Sequence, residues 1–251
     1  MRFVRTGAVV ALFSLAAACQ RAPYAATAHL APATSQPVGA AIAADPAVAA
    51  LIAPYHDQVT RQMAEVLGTA PVPIVKTAGE SPLNNFVADL QRERASQFLG
   101  QPMDLGVMTN GGLRASLPAG PITLGHVFEL MPFENELVVL DASGGTVQKL
   151  FEYAAHIRMP ISGATYAVTF DGLPTDIMIQ GQPFNPAADR LYSIAISDYL
   201  AGGGDNLLFL KPVEPRHTGI LLRTAIADHI RALTAAGQPI VAKVDGRVEG
   251  N

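Results

Sequence analysis

Val107-Met108-Thr109-Asn110-Gly111-Gly112-Leu113-Arg114 shows in eight residues how this chain is built: an apolar run, a glycine break, then a charge. Leu105 to Met108 reads as a strand, and the glycine pair ends it. Glycine reaches backbone angles closed to other residues and lets a ligand approach the main chain. An arginine just past such a turn offers a planar, permanently charged fork suited to phosphate or to a ribose hydroxyl edge. Taken alone, the stretch reads first as a tight turn with a surface arginine.

Outward from it, strands and helices mix without strict βαβ alternation, which favours α+β: a single mixed-sheet domain with packed helices. Apolar residues at spacings of three and four from Pro46 to Leu67 predict a helix ended by Gly68, with Pro54 bending or restarting it. Val72 to Val75 reads as extended. Ser81-Pro82 predicts a capped helix start, Gly100 its end, and Leu83, Phe86, Val87, Leu90 and Phe98 its buried stripe. Thr123 opens a short helix over 124–130, Glu136 to Ala142 is a strand, and Ser143-Gly144-Gly145 leads into a helix through His156. A hairpin around Asp171-Gly172 follows, then a strand from Leu191 to Ser197 and a glycine-rich loop from Asp198 to Asn206. Thr218 to Ala235 reads as an amphipathic closing helix and Ile240 to Val248 as a last strand.

The chain has 251 residues, a formal charge of −4, one cysteine and no tryptophan. Met1 to Cys19 has basic residues, an apolar run and small residues before its cysteine, the pattern of a signal peptide. Ala16-Ala17-Ala18-Cys19 resembles a bacterial lipoprotein processing box, so Cys19 is expected to carry a lipid and to hold the exported protein at a periplasmic membrane face. Residues 20–45, rich in Ala and Pro with few charges, read as a tether, and 46–251 as one folded domain beginning with a connector-helix region over 46–75. The acidic balance argues against a nucleic-acid polymer as partner.

Three loops carry polar and aromatic residues beside apolar elements: Asn110 to Arg114, Pro132-Phe133-Glu134-Asn135, and Asp198-Tyr199-Leu200-Ala201-Gly202-Gly203-Gly204-Asp205. Together they hold what a nucleoside site requires. Phe133 and Tyr199 can sandwich a flat base, Asn135 can pair with its edge, Asp205 can accept from ribose hydroxyls, and Arg114 can reach ribose or phosphate. Each residue also has an ordinary reading, as core packing, strand end or turn former.

From about Tyr55 to Val248 the chain resembles the C-terminal, substrate-binding domain of 5′-nucleotidases, the group that includes UDP-sugar hydrolases. The matching pieces are Glu80-Ser81-Pro82-Leu83-Asn84-Asn85-Phe86-Val87-Ala88-Asp89, Asn110-Gly111-Gly112-Leu113-Arg114, Pro132-Phe133-Glu134-Asn135, Ser162-Gly163 and Gly203-Gly204-Asp205, in family order. The resemblance implies that Phe133 and Tyr199 stack the base, Asn135 contacts it, Asp205 binds ribose, and Arg114, with Asn110 and Gly203 in the same loops, helps to hold the nucleotide. The chain departs from the family in several places. One residue fewer lies between the asparagine and arginine of the first loop, so Asn110 is shifted by one or replaced in role by Thr109. Glu134 and Asn206 stand where glycines are usual, and only Lys76 lies near the position of the family's upstream arginines.

The full enzymes also carry a metallophosphatase domain with two metal ions. None of the six histidines here forms the clusters that chemistry requires; His56-Asp57, the nearest pair, reads as a solvated pair. No nucleophile motif appears. The expectation is therefore no catalytic residue, metal or cofactor on this chain, with a divalent metal pair on a separate metallophosphatase partner. The chain would recognise the nucleotide for a 5′-nucleotidase-type hydrolase. The alternatives are a non-catalytic, lipid-anchored nucleotide- or nucleoside-binding protein, or an envelope interaction protein that kept the fold and lost the site.

Overall fold

The structure, a computed structural model, describes residues 35, 37–39 and 41–250. The signal-peptide and Cys19 expectations, and most of the tether, lie outside the described residues. The described residues up to Ala49 include Asp45, whose carboxylate accepts from the backbone of Ala47 and Val48 at 2.8 and 3.1 Å and so caps α1 (Pro46–Met63). No residue of α1 is buried, and Leu51, Ile52, Tyr55 and Val59 lie open on it. Pro54 sits within a helix that continues past it. The helix stops at Met63 rather than at Leu67, because Val66 and Leu67 join strand β1 (Val66–Ala70), paired antiparallel with β3 (Gly120–Thr123).

Ala50–Asn251 forms one compact unit. Its centre is a mixed five-stranded sheet in the order β10-β4-β9-β2-β5. The strands are β2 (Leu105–Val107), β4 (Glu136–Ser143), β5 (Ile161–Ser162), β9 (Leu191–Ser197) and β10 (Pro215–Leu221). β9 pairs antiparallel with β4 over seven residues, from Leu137 opposite Ser197 to Ser143 opposite Leu191, and parallel with β2. Alternation along β4 sorts its side chains onto two faces. Val138, Leu140 and Ala142 pack with Val147, Leu150, Phe151 and Ala154 of α4 (Gly144–Ile157). Leu137 and Val139 pack on the opposite side with Ala95 of α2 (Pro82–Leu99). Helices thus cover both faces, so the central strands read as unbroken apolar runs. Burying each such Leu, Ile or Val is worth about 1.5–3 kcal/mol. Gly106 lets α2 come this close, since a Cβ there would stand 2.3 Å from the Ala88 carbonyl oxygen.

α2 begins and ends as its sequence dictates. The Ser81 hydroxyl accepts from Asn84 N–H, Pro82 takes the first turn, and Gly100 closes in the left-handed region at φ 67°. Phe98, expected in the buried stripe, is exposed; it lies in the last turn, after the packed stretch. A second core joins α2 to β1, β3, α3 (Leu124–Leu130) and α6 (Leu222–Ala235). A further sheet has the order β11-β6-β7-β8, with β6 (Ala164–Val168), β7 (Pro174–Ile179), β8 (Gln182–Pro183) and β11 (Val248–Glu249).

Two terminal expectations change. Thr218 to Leu221 belongs to β10, not to the closing helix, which starts at Leu222. The stretch from Ile240 forms a strand only at Val248–Glu249. Elsewhere it is held by backbone bonds from Ile240 N–H to the Thr69 carbonyl and from Tyr166 N–H to the Arg247 carbonyl, both at 2.9 Å, and by side chains. The Arg247 guanidinium, largely buried, donates two bonds to Asp89 (2.8 and 2.7 Å) and two to Asp245 (2.7 and 3.1 Å), while Glu80 accepts from the backbone of Asp245, Arg247 and Val248. The Ser162 hydroxyl donates to Asp89 at 2.6 Å. Glu80, Asp89 and Ser162, three of the quoted motif residues, therefore anchor the tail.

Removing one partner of a buried pair usually costs about 3–5 kcal/mol, and partial exposure of Asp89 lowers this. Arg247→Ala is expected to lose about 2–4 kcal/mol in urea unfolding; an unchanged midpoint contradicts the anchoring role.

Candidate functional site

The three loops leave the five-stranded sheet at one end. β2 and β9 run parallel, so Thr109 and Tyr199 follow their C-terminal ends; β4 runs opposite, so Phe133 and Asn135 precede its start. A cavity of about 180 Å³ opens there, lined by Gly111, Gly112, Arg114, Phe133, Asn135, Tyr199 and Asp205.

Asp205 ties the loops together. Thr109 Oγ1 donates to its Oδ2 at 2.6 Å, the Tyr199 hydroxyl donates to its Oδ1 at 3.1 Å, and the Gly111 backbone lies directly beneath it. Each carboxylate oxygen has further lone pairs for an incoming hydroxyl. Ser197 caps the short helix α5 (Asp198–Ala201) by accepting from Leu200 N–H, and this sets the start of Tyr199. The Tyr199 ring then lies against Gly204, where a Cβ would come within 2.5 Å of it, so only glycine fits. Asp205 and Asn206 sit at φ 50° and 67°; asparagine and aspartate tolerate this region, which explains how Asn206 replaces a glycine.

Arg114 is exposed, and its guanidinium stands 5.1 Å from the centre of the Phe133 ring, a cation–π contact. Its backbone N–H donates to Leu130 and fixes the turn. Lys76 Nζ donates to the Leu113 carbonyl, so this lysine braces the loop. Phe133 is half-buried against the second core. Its carbonyl accepts from Arg223 at 3.3 Å, and Arg223 also reaches Glu134 at 3.4 Å. The Asn135 carbonyl accepts from Leu222 N–H, leaving the side chain at the cavity.

Five of the seven expected residues, Arg114, Phe133, Asn135, Tyr199 and Asp205, thus share one cavity. Two do not. Asn110 lines a neighbouring cavity, and Gly203, at φ 95°, serves the turn that delivers Asp205. Thr109 takes the contact with Asp205, as the one-residue shift of the loop allows. His56 and Asp57 are an exposed pair 3.5 Å apart. Among the described residues, no three His, Cys, Asp or Glu side chains are placed to hold a metal ion together.

A family model described as 5′-nucleotidase, C-terminal domain matches residues 66–212. The chain belongs to the 5′-nucleotidase C-terminal domain family. Among solved structures, the 5′-nucleotidase precursor from Thermus thermophilus superposes with a TM-score of 0.69 at 28% identity, over 81% of this chain and 42% of that one. Protein UshA of Escherichia coli strain K12 is 35% identical over 117 residues, 44% of this chain and 21% of UshA. The trifunctional nucleotide phosphoesterase protein YfkN of Bacillus subtilis strain 168 is 25% identical over 185 residues, 68% of this chain and 12% of YfkN. The chain therefore spans less than half the length of each relative.

One ion pair borders this cavity. His217 on β10 bonds Glu136, the residue after Asn135, at 2.8 Å, and Glu136 also accepts from Gly219 N–H at 2.6 Å. The hydrogen bond to Glu136 raises the His217 pKa above its ordinary 6.5, and Asp198 and Glu214 add to the shift; the same bond lowers Glu136 below its ordinary 4.5. The histidine's contribution is complete below pH 6.5 and fades as pH rises through the raised value; the glutamate's is complete above 4.5 and fades as pH falls through the lowered one. The pair is thus fully formed between these limits. NMR titration is expected to place His217 above 6.5, and Glu136→Gln to bring it back down; no change on substitution contradicts the pairing.

Proposed function

We propose that the chain is the nucleotide-recognising part of a 5′-nucleotidase-type hydrolase, and that a metallophosphatase polypeptide outside these 251 residues supplies the metal-dependent hydrolysis. The observation that carries this reading is the single cavity formed by Arg114, Phe133, Asn135, Tyr199 and Asp205. In this reading a base stacks on Phe133 and Tyr199, Asn135 pairs with its edge, and Asp205 accepts a ribose hydroxyl. The guanidinium of Arg114 lies over Phe133. A base stacking on that face displaces it, which turns the cation toward the phosphate. Holding the ester against a partner's reactive centre converts an encounter between three bodies into one step within a complex.

In this reading the chain's own part is to bind and orient the nucleotide through the residues of that cavity. The second reading is a nucleotide- or nucleoside-binding protein without hydrolysis, which the same cavity would serve. We place the protein outside the cytoplasmic membrane, lipid-anchored through Cys19. The Met1–Cys19 pattern supports this, and one relative, 29% identical over 192 residues, is named a cell wall protein in Listeria monocytogenes.

A nucleotidase assay with divalent metal, with and without a metallophosphatase lacking its own binding domain, separates the readings. Activity only on mixing is expected; tight nucleotide binding with no activity under any pairing favours the binder. Phe133→Ala is expected to weaken nucleotide binding by ~1–3 kcal/mol in calorimetry, and unchanged affinity refutes the assigned cavity.

A further inference from the structure

α1 carries an apolar side that the described residues leave open. Leu51, Tyr55 and Val59 recur every fourth residue and Ile52 lies beside them, one stripe along a helix of 18 residues. These four side chains are between 52% and 71% exposed, and no residue of the helix is buried. Asp57 and Arg61 stand on the far side and cancel in charge. In water a helix of this length without a buried face is marginal even when it is rich in alanine. This one also holds Pro54 in its interior, with Ile52, Val59 and Thr60, which favour a helix less. Such a helix calls for a cover.

The pattern around the stripe says what kind of cover fits. A partner helix is set in register by charged residues at the edges of the apolar seam, and here the edges hold His56 and Gln58. A bilayer surface needs no register. It takes a one-sided apolar helix lying in its plane, with an aromatic hydroxyl at the level of the headgroups, and Tyr55 supplies that in the middle of the stripe. No helix among the described residues is long and apolar enough to cross a membrane. Position in the chain points the same way. Residues 20–45 are all that separates Cys19 from α1, and a stretch of that length spans at most about 90 Å. With a lipid on Cys19, α1 stays within that distance of the bilayer, an effective concentration on the order of 1 mM, at which a weak apolar attraction suffices.

Resting on the reading that Cys19 carries a lipid, we propose that α1 is a second membrane contact: the side formed by Leu51, Ile52, Tyr55 and Val59 lies in the headgroup region of the bilayer, with Asp57 and Arg61 toward water. Apolar area rather than charge drives the contact, because the helix's two charges cancel. Only Ala64 and Glu65 separate α1 from β1, so a docked α1 also keeps the folded unit close to the surface.

The chain has no tryptophan, so Tyr55→Trp places a lone fluorescent reporter in the stripe. The test puts the exported, processed protein with vesicles of phosphatidylethanolamine and phosphatidylglycerol, a fraction of them brominated in the acyl chains, and reads Cys19 separately by mass spectrometry. The brominated lipid is expected to quench the Tyr55→Trp reporter severalfold, and an Asp57→Trp reporter on the opposite side to be left unquenched. Adding Leu51→Lys and Val59→Lys, both at exposed positions, to Tyr55→Trp is expected to abolish the quenching while the circular dichroism of the folded unit is kept. Quenching that survives these two lysines overturns the proposal. A lipidated Cys19 with an unquenched Tyr55→Trp reporter overturns the contact and leaves the anchor standing. Quenching with no lipid on Cys19 upholds the contact and removes the anchor. A reporter shielded from aqueous acrylamide yet untouched by brominated lipid means that a second copy or another polypeptide covers the stripe, and this overturns the proposal too.

Discussion

The pairing of β9 with two neighbours of opposite sense is the constraint on which the site depends. β2 beside it is parallel and β4 antiparallel. One strand end thus receives the loop after β2, the loop before β4 and the loop after β9, although these lie far apart in sequence. Seven paired residues with β4 fix the register. A slip of one residue would turn Ile194 and Ile196 out of the core around α4 and move Tyr199 off Asp205. The site is held by the apolar interior of a sheet covered by helices on both faces, and its polar residues add only the last adjustments.

Those adjustments centre on Asp205. A carboxylate bridged by Thr109 and Tyr199 is fixed in orientation, yet each of its oxygens can accept another bond. Elsewhere the molecule has a larger cavity, about 540 Å³, near Phe86, His229 and Arg247. Size alone would favour that one. Most of its charged groups, however, are already engaged with one another: Arg247 binds Asp89 and Asp245, and His229 lies 3.7 Å from Glu93 with burial lowering its pKa. The smaller cavity has an aromatic platform, a carboxylate with capacity to spare and an exposed arginine. Its chemistry, rather than its volume, makes it the candidate.

Much of this was legible in the sequence because the informative residues act locally. Ser81, Pro82 and Gly100 bound α2 where capping rules place its ends, and Thr123 does the same for α3. Phe133, Asn135, Tyr199 and Asp205 stand out because aromatic and polar residues beside turns have few core roles. The features that were missed depend on tertiary partners. Thr218 to Leu221 carries apolar residues at spacings compatible with a helix, but pairing with β4 makes it a strand. Val66 and Leu67 continue a helical pattern until β3 claims them. Asn110 lies next to Thr109, and only the geometry of the turn decides which of the two faces Asp205. Asn84 looks like an ordinary first-turn residue until its carbonyl oxygen is found buried without a partner. The apolar side of α1, by contrast, follows its spacing, yet none of its residues is buried.

The most direct test of the account is a crystal structure of the chain grown with a nucleoside 5′-monophosphate. The account predicts the base against Phe133 and Tyr199, a ribose hydroxyl on Asp205, and Arg114 moved off the Phe133 ring toward the phosphate. A nucleotide bound instead in the cavity near Phe86 and His229, with the Phe133–Tyr199 cavity unchanged, would contradict it.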